Sequence, residues 1–236
     1  MWLDAKDMQD FYSTSLGLTA RRMISMHVRE MWPDVKNMNI LGIGFTTPYL
    51  DAFKDQSSLV LASMPASQGV LNWPVEGPNQ TCLTMESELP FPDLSIDRVL
   101  MVHAIECTES IRPMMREIWR VLTGTGRLLV IAPNRRGVWS RLERTPFGNG
   151  RPYTSSQLCQ LLKDTLYTPI CSNSALYVPP SQSQMILSSA LAWEQIGKRW
   201  LAALGGVVSV EAGKQVYATT PIGKGARQQI YATVNE

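Results

Sequence analysis

Four short apolar runs without polar alternation constrain the fold of this 236-residue chain more than any other feature. They are "MNILGIG" (38–44), "SSLVLASMP" (57–65), Ile96 to Val102 and "RLLVIAP" (127–133). Such runs are typical of strands that are covered on both faces in a parallel sheet. Because helical patterns separate them, they predict right-handed crossovers and a doubly wound α/β sheet.

The remaining pattern adds helices at the start and a mixed region at the end. Residues 6 to 31 are predicted as two helical pieces that separate near "STSLG" and end at Trp32-Pro33, because proline disfavours helix in the residue before it. Pro113 suits the first turn of a further helix. The other expected elements are a helix near residues 47 to 55, a short strand in "TCLTM", a helix in "TSSQLCQLLKDT", a strand near "ALYVP", an amphipathic helix from about Met185 to Leu204 and a last strand in "VVSVEAGKQVYAT".

Composition narrows the class of protein. A chain that is 44% apolar and 18% charged has the composition of a globular protein, and no segment reaches the roughly 18 apolar residues of a membrane helix. The polar, acidic start differs from a secretory signal, so a cytoplasmic protein is expected. Four scattered cysteines without a CxxC pair argue against a disulfide framework and a zinc site, and a net charge of +2 gives no sign of nucleic-acid binding.

One block carries a family resemblance. Residues 89 to 134, "LPFPDLSIDRVLMVHAIECTESIRPMMREIWRVLTGTGRLLVIAPN", resemble the central block of class I S-adenosylmethionine-dependent methyltransferases of the small-molecule type. The matching pieces are Leu89-Pro90-Phe91, Asp97, Arg116-Glu117, Arg120-Val121-Leu122, the Gly124 to Gly126 turn and Leu128 to Ile131. Thr125 interrupts the family's usual pair of glycines.

The resemblance implies a Rossmann-like, seven-stranded sheet whose last strand is antiparallel. It implies one methyltransferase-like domain over residues 1–236, and S-adenosylmethionine as its cofactor. Its expected parts are an amino-terminal helical cap (1–33), a cofactor half (34–134), an arginine-rich loop (135–153) and a carboxyl-terminal half with a helical insertion (154–236).

The family's cofactor loop is present here in degenerate form. Aligned through Tyr49-Leu50, Gly42 takes the acidic position, Gly44 the first glycine, Thr46 the second and Pro48 the third. Aligned for the most glycines, Gly42 and Gly44 match and Thr46 does not. Glycine serves such loops because it tolerates positive φ and adds no Cβ. Gly42, Gly44, Phe45 and Thr46 are the expected cofactor contacts in this loop.

The expected ribose anchor is also missing. A carboxylate is expected about 20 residues past the first glycine, where it would bind the ribose hydroxyls. Counting from Gly42 leads to Ala62 to Pro65, which contains no acid. Met64 and Leu89 are assigned to an adenine pocket or to plain core. Glu86 or Glu88 is assigned to the adenine amino group, the alternative being two surface glutamates before a turn.

His103 follows the fourth strand at the carboxyl edge of the sheet, where open α/β sheets bind ligands. It is assigned as a general base or pocket wall, the alternative being a buried histidine with a satisfied hydrogen bond. Glu106 and Cys107 lie close by, but no ligand spacing supports a metal site. Tyr12 is expected to cap the pocket or pack in the core, and Asn134 and Arg135 to contact substrate.

Two functions follow from these patterns. The first is an S-adenosylmethionine-dependent methyltransferase that acts on an unknown small molecule. The second is a catalytically inactive methyltransferase-like domain that binds a protein partner. Residues 134 to 151 carry five arginines against one acid, Glu143, so this loop is either a solvated loop or a surface for an anionic partner.

Overall fold

The computed structural model describes residues 4–215, which contain a seven-stranded sheet in the order β3-β2-β1-β4-β5-β7-β6. The strands are β1 (Asn39–Gly44), β2 (Leu59–Pro65), β3 (Thr81–Thr84), β4 (Ile96–Val102), β5 (Leu122–Pro133), β6 (Tyr167–Ala175) and β7 (Val207–Lys214). Strands β1 to β5 pair in parallel, and β7 runs antiparallel to both neighbours. The predicted fold class is therefore confirmed.

Helices cover both faces of the sheet. They are α1 (Ala5–Ser13), α2 (Ser15–Met31), α3 (Thr47–Leu50), α4 (Ile111–Val121), α5 (Ser155–Asp164), α6 (Gln184–Ser188) and α7 (Ala190–Trp200). Successive side chains of a strand point to opposite faces. In β4, Leu100 and Val102 join the core under α1 and α2, whereas Val99 and Met101 join the core under α4 and α5. Both faces are buried from Val99 onward, which explains why the strand is apolar from Val99 to Val102.

Two elements differ from their prediction. The strand expected near "ALYVP" lies earlier, in β6, because an edge strand with one exposed face alternates polar and apolar residues and forms no apolar run. Leu176, with a φ of 65°, follows its last residue.

The helix expected from Met185 to Leu204 is divided at Ser189, whose hydroxyl donates to the carbonyl oxygen of Ile186 at 2.9 Å. Positions 216 to 219 of the predicted last strand lie outside the described residues.

No helix within residues 4–215 combines the length and the apolar character needed to cross a membrane.

The longest described helix, α2, is fixed to the sheet by a buried histidine. The His27 Nε2 atom lies 2.7 Å from the Ser209 hydroxyl on β7. Burial, together with the nearby Lys198 ammonium, lowers the pKa of His27 from 6.5 to about 4, while the Glu30 carboxylate opposes this shift. The imidazole is therefore neutral in the folded protein at neutral pH.

The lowered pKa of His27 predicts that the folded protein is less stable in acid. Between pH 6.5 and 4 the unfolded chain binds a proton at His27 that the folded chain does not, so stability falls as pH falls through this window. Between pH 7.5 and 5 the wild type is expected to lose about 2 kcal/mol more unfolding free energy than His27→Gln, measured by urea unfolding at both pH values. Equal losses in the two proteins would contradict this assignment.

Candidate functional site

The first turn after β1 is held against the end of β4. Gly44 has a φ of 87°, a conformation that favours glycine. A Cβ atom at this position would lie 2.3 Å from the Val102 carbonyl oxygen and 2.8 Å from the Ala104 Cβ. The Phe45 amide also donates to that Val102 oxygen, at 2.9 Å. Glycine at position 44 is thus required by the contact between two strand ends within the protein.

Gly42 is likewise explained by packing. The Thr46 side chain is fully buried, and a Cβ atom on Gly42 would lie 2.1 Å from the Thr46 Oγ1 atom. It would also lie 2.7 Å from the Leu50 Cδ1 atom. Thr46 aligns with the family's second glycine. Its side chain fills the space beside Gly42 that a side chain at position 42 would need.

Above this turn, four polar side chains form a hydrogen-bonded chain. The Tyr49 hydroxyl donates to the Tyr12 oxygen at 2.7 Å, and the Tyr12 oxygen lies 2.7 Å from the His103 Nε2 atom. The His103 Nδ1 atom lies 3.2 Å from Glu106 Oε1. Since each tyrosine has one proton, Tyr12 donates to an unprotonated Nε2, and the Nδ1–H group donates to Glu106. Both ring nitrogens of His103 are therefore engaged within the protein.

We name these residues (Tyr12, Tyr49, His103 and Glu106) the Tyr12 chain, and it is shielded from water. Tyr12 is 5% exposed and His103 is 2% exposed. The Tyr12 ring stacks on Phe45 with centroids 5.6 Å apart, and Phe147 packs against the His103 ring at 5.0 Å. Burial raises the pKa of Tyr12 and Tyr49 well above the ordinary value. Both hydroxyls stay protonated, so they serve as hydrogen-bond donors at neutral pH.

Gln68 joins helix α1 to this edge of the sheet. Its carbonyl oxygen accepts a hydrogen bond from the Ala5 amide at 2.7 Å, at the start of α1. Its side-chain amide donates to the His103 carbonyl oxygen at 2.6 Å. His103 itself has a φ of 53°, in the left-handed region. The loop after β2 thus holds both α1 and the strained end of β4.

An open cleft of about 350 Å³ lies beside the Tyr12 chain, beyond the ends of β2, β3 and β4. Glu86 lines it and accepts hydrogen bonds from Thr108 and, at 3.5 Å, from Ser67. Met64 and Leu89 do not line the cleft. Met64 is buried under the Leu71 amide, which donates to its sulfur at 3.3 Å, and Leu89 is buried in the core beside α4.

The expected substrate residues separate into two places. Tyr12 lies with Phe45 and His103, as described above. The Asn134 amide donates to the carbonyl oxygens of Ala203 at 2.9 Å and Gly205 at 2.8 Å, so it fastens the loop after β5 to the start of β7. Arg135 is exposed, and its guanidinium reaches the Pro152 carbonyl oxygen at 3.3 Å. Within residues 4–215, no group of three or more candidate metal ligands occurs.

Sequence reasoning missed several members of this cluster. Glu106 carried the clearest signal, since it follows His103 by three residues. Tyr49 comes directly after the degenerate loop and offered a weaker one. Gln68 and Phe147 follow no local pattern, because the segments that place them return to His103 from distant parts of the chain.

The comparisons with known proteins agree with this topology. Residues 42–130 match the family model described as a methyltransferase domain. No match to the sequence was found among curated proteins. The family match spans the turn after β1 and the strands through most of β5.

Solved structures share the fold at low sequence identity. A S-adenosylmethionine-dependent methyltransferase of Thermotoga maritima, described as a possible histamine N-methyltransferase, superposes with a TM-score of 0.62 at 16% identity, over 88% of this chain and 94% of that one. A S-adenosylmethionine-dependent methyltransferase of Archaeoglobus fulgidus gives 0.58 at 14% identity, over 87% and 97%. A putative methyltransferase of Haloferax volcanii, in complex with the activator Trm112, gives 0.57 at 14%, over 90% and 94%.

Sheet order, the antiparallel β7 and the matched segment lead to one conclusion. Residues 42–130 match a methyltransferase domain, and the chain has the fold of the class I S-adenosylmethionine-dependent methyltransferases.

Proposed function

We propose that this protein is a catalytically inactive methyltransferase-like protein that acts by binding. The observation that carries this proposal is the position of Tyr12. Its ring stacks on Phe45, and its hydroxyl is bonded to Tyr49 and His103, directly over the turn that follows β1. These are contacts between protein groups at the place where the fold family holds its cofactor.

S-adenosylmethionine does not fit the residues of this edge. Gly42 and Gly44 are both buried, and an added Cβ would lie 2.1 Å and 2.3 Å from protein atoms, so packing within the protein accounts for both glycines. β2 ends in Met64-Pro65 without a carboxylate for the ribose hydroxyls. A missing charged acceptor costs about 1.5–3 kcal/mol of binding free energy, or one to two decades of affinity. Glu86, in the open cleft, is the expected cofactor contact that remains accessible.

The arginine-rich loop supports a binding role. Arg135, Arg136, Arg141, Arg144 and Arg151 are all exposed. Within the described part of the chain, no carboxylate lies within ion-pair distance of these five guanidinium groups. Guanidinium groups bind carboxylates bidentately, so this surface suits an acidic partner. The structurally similar Haloferax protein is itself in a complex with another protein, its activator Trm112.

A second candidate is a methyltransferase whose helix α1 moves off the turn after β1 before the cofactor binds. In this alternative the cofactor cleft is the space over that turn, which α1 closes, and it is distinct from the open cleft that Glu86 lines. The family match over residues 42–130 favours it, as does the positive φ of Gly44, which retains the backbone conformation of a glycine loop. Under this alternative α1 is a lid, and the hydrogen bonds of the Tyr12 chain hold it in the closed position. The residues that would act on a substrate are then those uncovered when α1 moves.

Calorimetric titration with S-adenosylmethionine and S-adenosylhomocysteine distinguishes these candidates. We expect the wild type to give no saturable heat and no rise in Tm at about 1 mM ligand, whereas a Kd of about 100 μM would add about 1.4 kcal/mol of stability. Wild-type binding tighter than about 100 μM would overturn the proposal in favour of the lid.

Two variants identify the group that closes the cleft. Tyr12→Ala removes the ring, and Tyr12→Phe keeps the ring while removing the hydroxyl, so it is the matched control. Binding gained by Tyr12→Ala and not by Tyr12→Phe would show that the ring excludes the cofactor. Binding equal in all three proteins would contradict a closed cleft.

A further inference from the structure

A larger cavity, of about 800 Å³, lies apart from the Tyr12 chain. It is bounded by α2, α7, the edge strand β6 and the amino-terminal end of α5, and no member of the Tyr12 chain lines it. Phe147 and Trp139 pack in series between His103 and Gly206, and none of these residues lines the cavity. Its volume is within the range of small-molecule pockets.

The charges of the cavity favour an anion. Arg136 and Lys198 line it together with one acid, Glu30, which is paired with Lys198 at 2.6 Å. Within residues 4–215, Arg136 has no carboxylate within ion-pair distance. Ser155 and Ser156 line the cavity from the first turn of α5, where the helix dipole attracts negative charge. One positive charge is thus left without a counterion at a polar cavity.

His27 adds an unsatisfied acceptor to the same wall. It is 4% exposed and lines the cavity, and its Nδ1 atom has no hydrogen-bond partner within the described residues. We assign the one hydroxyl proton of Ser209 to the Asn173 carbonyl oxygen, 3.4 Å away, so that the His27 Nε2–H group donates to Ser209. The Nδ1 atom is then an unprotonated acceptor.

The group nearest to that nitrogen does not satisfy it. Glu30 Oε2 lies 4.0 Å away and is itself an acceptor when ionised. A buried acceptor without a donor is unfavourable. The Nδ1 atom is closed to solvent, and the exposed Glu30 side chain lies beside it. A ligand hydroxyl would satisfy Nδ1 once that side chain moves, while the acidic group of the ligand pairs with Arg136.

From these positions we propose that the cavity binds a small anion that also carries a hydroxyl group, such as a hydroxycarboxylate or a phosphorylated polyol. Arg136 and the first turn of α5 hold the acidic group, and His27 Nδ1 accepts from the hydroxyl. This site goes beyond the proposed function, because it involves none of the residues that close the cofactor cleft. A failed search for it would leave the cofactor titration unaffected.

Titration of the full chain with four probes tests the proposal: malate, succinate (malate without its hydroxyl), inorganic phosphate and neutral glycerol. We expect saturable malate binding, about tenfold tighter than that of succinate, and none for glycerol. Phosphate binding shows whether the acidic subsite accepts phosphoryl groups as well as carboxylates. No saturable binding of either malate or phosphate up to about 10 mM would overturn the proposal.

A pair of arginine variants distinguishes binding in the cavity from a general attraction of anions to the positively charged surface. Arg136→Gln is expected to weaken malate binding about tenfold. Arg141→Gln removes the same charge from the same exposed loop but does not line the cavity, so its affinity should equal that of the wild type. Equal losses in the two variants would overturn the site.

His27→Gln tests the hydroxyl subsite. It is expected to remove the preference for malate over succinate while leaving succinate affinity unchanged. Since both arginines are exposed, their variants keep the proposal falsifiable even if His27→Gln fails to fold. Succinate binding as tight as malate binding to the wild type would overturn the role given to His27.

Discussion

Replacing Tyr12 with alanine is expected to lower the free energy of unfolding by about 3–5 kcal/mol, because it removes a buried aromatic ring from the core. It also leaves the Tyr49 hydroxyl and the His103 Nε2 atom without their partner in a site that water does not reach. Denaturant unfolding at pH 7.5, followed by circular dichroism, measures this change.

Two tyrosine-to-phenylalanine variants calibrate that result. Tyr12→Phe keeps the ring stacked on Phe45 and is expected to cost about 1–3 kcal/mol through the two unsatisfied groups alone. Tyr177→Phe removes a partly exposed hydroxyl whose hydrogen bond to the Ala202 carbonyl oxygen is long, 3.3 Å, and it should cost less than about 0.5 kcal/mol. A loss below about 1 kcal/mol for Tyr12→Ala would mean that α1 is weakly held, as the lid alternative requires.

Gly44→Ala is expected to cost about 3 kcal/mol or more. A φ of 87° is itself unfavourable for alanine, by about 1–2 kcal/mol. The new Cβ would also lie 2.3 Å from the Val102 carbonyl oxygen. The hydrogen bond from Phe45 to that same oxygen keeps the two strand ends together, so the backbone cannot relax without losing it. The unfolding midpoint in urea reports the loss.

Gly77→Ala is the matched control for this contact. Gly77 also has a positive φ, 101°, but no atom lies within 4 Å of an added Cβ. Gly77→Ala should therefore lower the free energy of unfolding only by the cost of the positive φ, about 1–2 kcal/mol. If Gly44→Ala costs no more than Gly77→Ala, the close approach of β1 and β4 does not require glycine.

The fold was predictable because its signals are local. The runs in β1, β2, β4 and β5 are mostly apolar where helices cover both faces of the sheet, and this pattern is visible in a single sequence. β6 was misplaced because an edge strand buries one face, and the apolar residues after it, Leu176 and Val178, pack in the core without joining the sheet. The helix after it was predicted as continuous because its periodicity does not show where the Ser189 hydroxyl interrupts the backbone.

The candidate site was predictable in position and not in content. Gly42 and Gly44 lie in the last residues of β1, and His103 follows β4, so their positions place them where the carboxyl ends of parallel strands meet. Whether Gly42 faced a ligand or Thr46 could not be read from either residue, because that depends on a contact across the turn. The partner of His103 depends on the position of Tyr12, which is 91 residues away along the chain.

The sequence by itself thus determined a doubly wound methyltransferase fold with a degenerate cofactor loop, because strand burial and loop composition are properties of contiguous residues. Only the tertiary structure decided what occupies that edge. Helix α1 and the loop containing Gln68 bring Tyr12 over Phe45 and His103, and the space is filled by hydrogen bonds between residues that are distant in sequence. Among residues 4–215, the same long-range packing leaves the His27 Nδ1 atom without a hydrogen-bond partner and Arg136 without a carboxylate partner at a separate cavity.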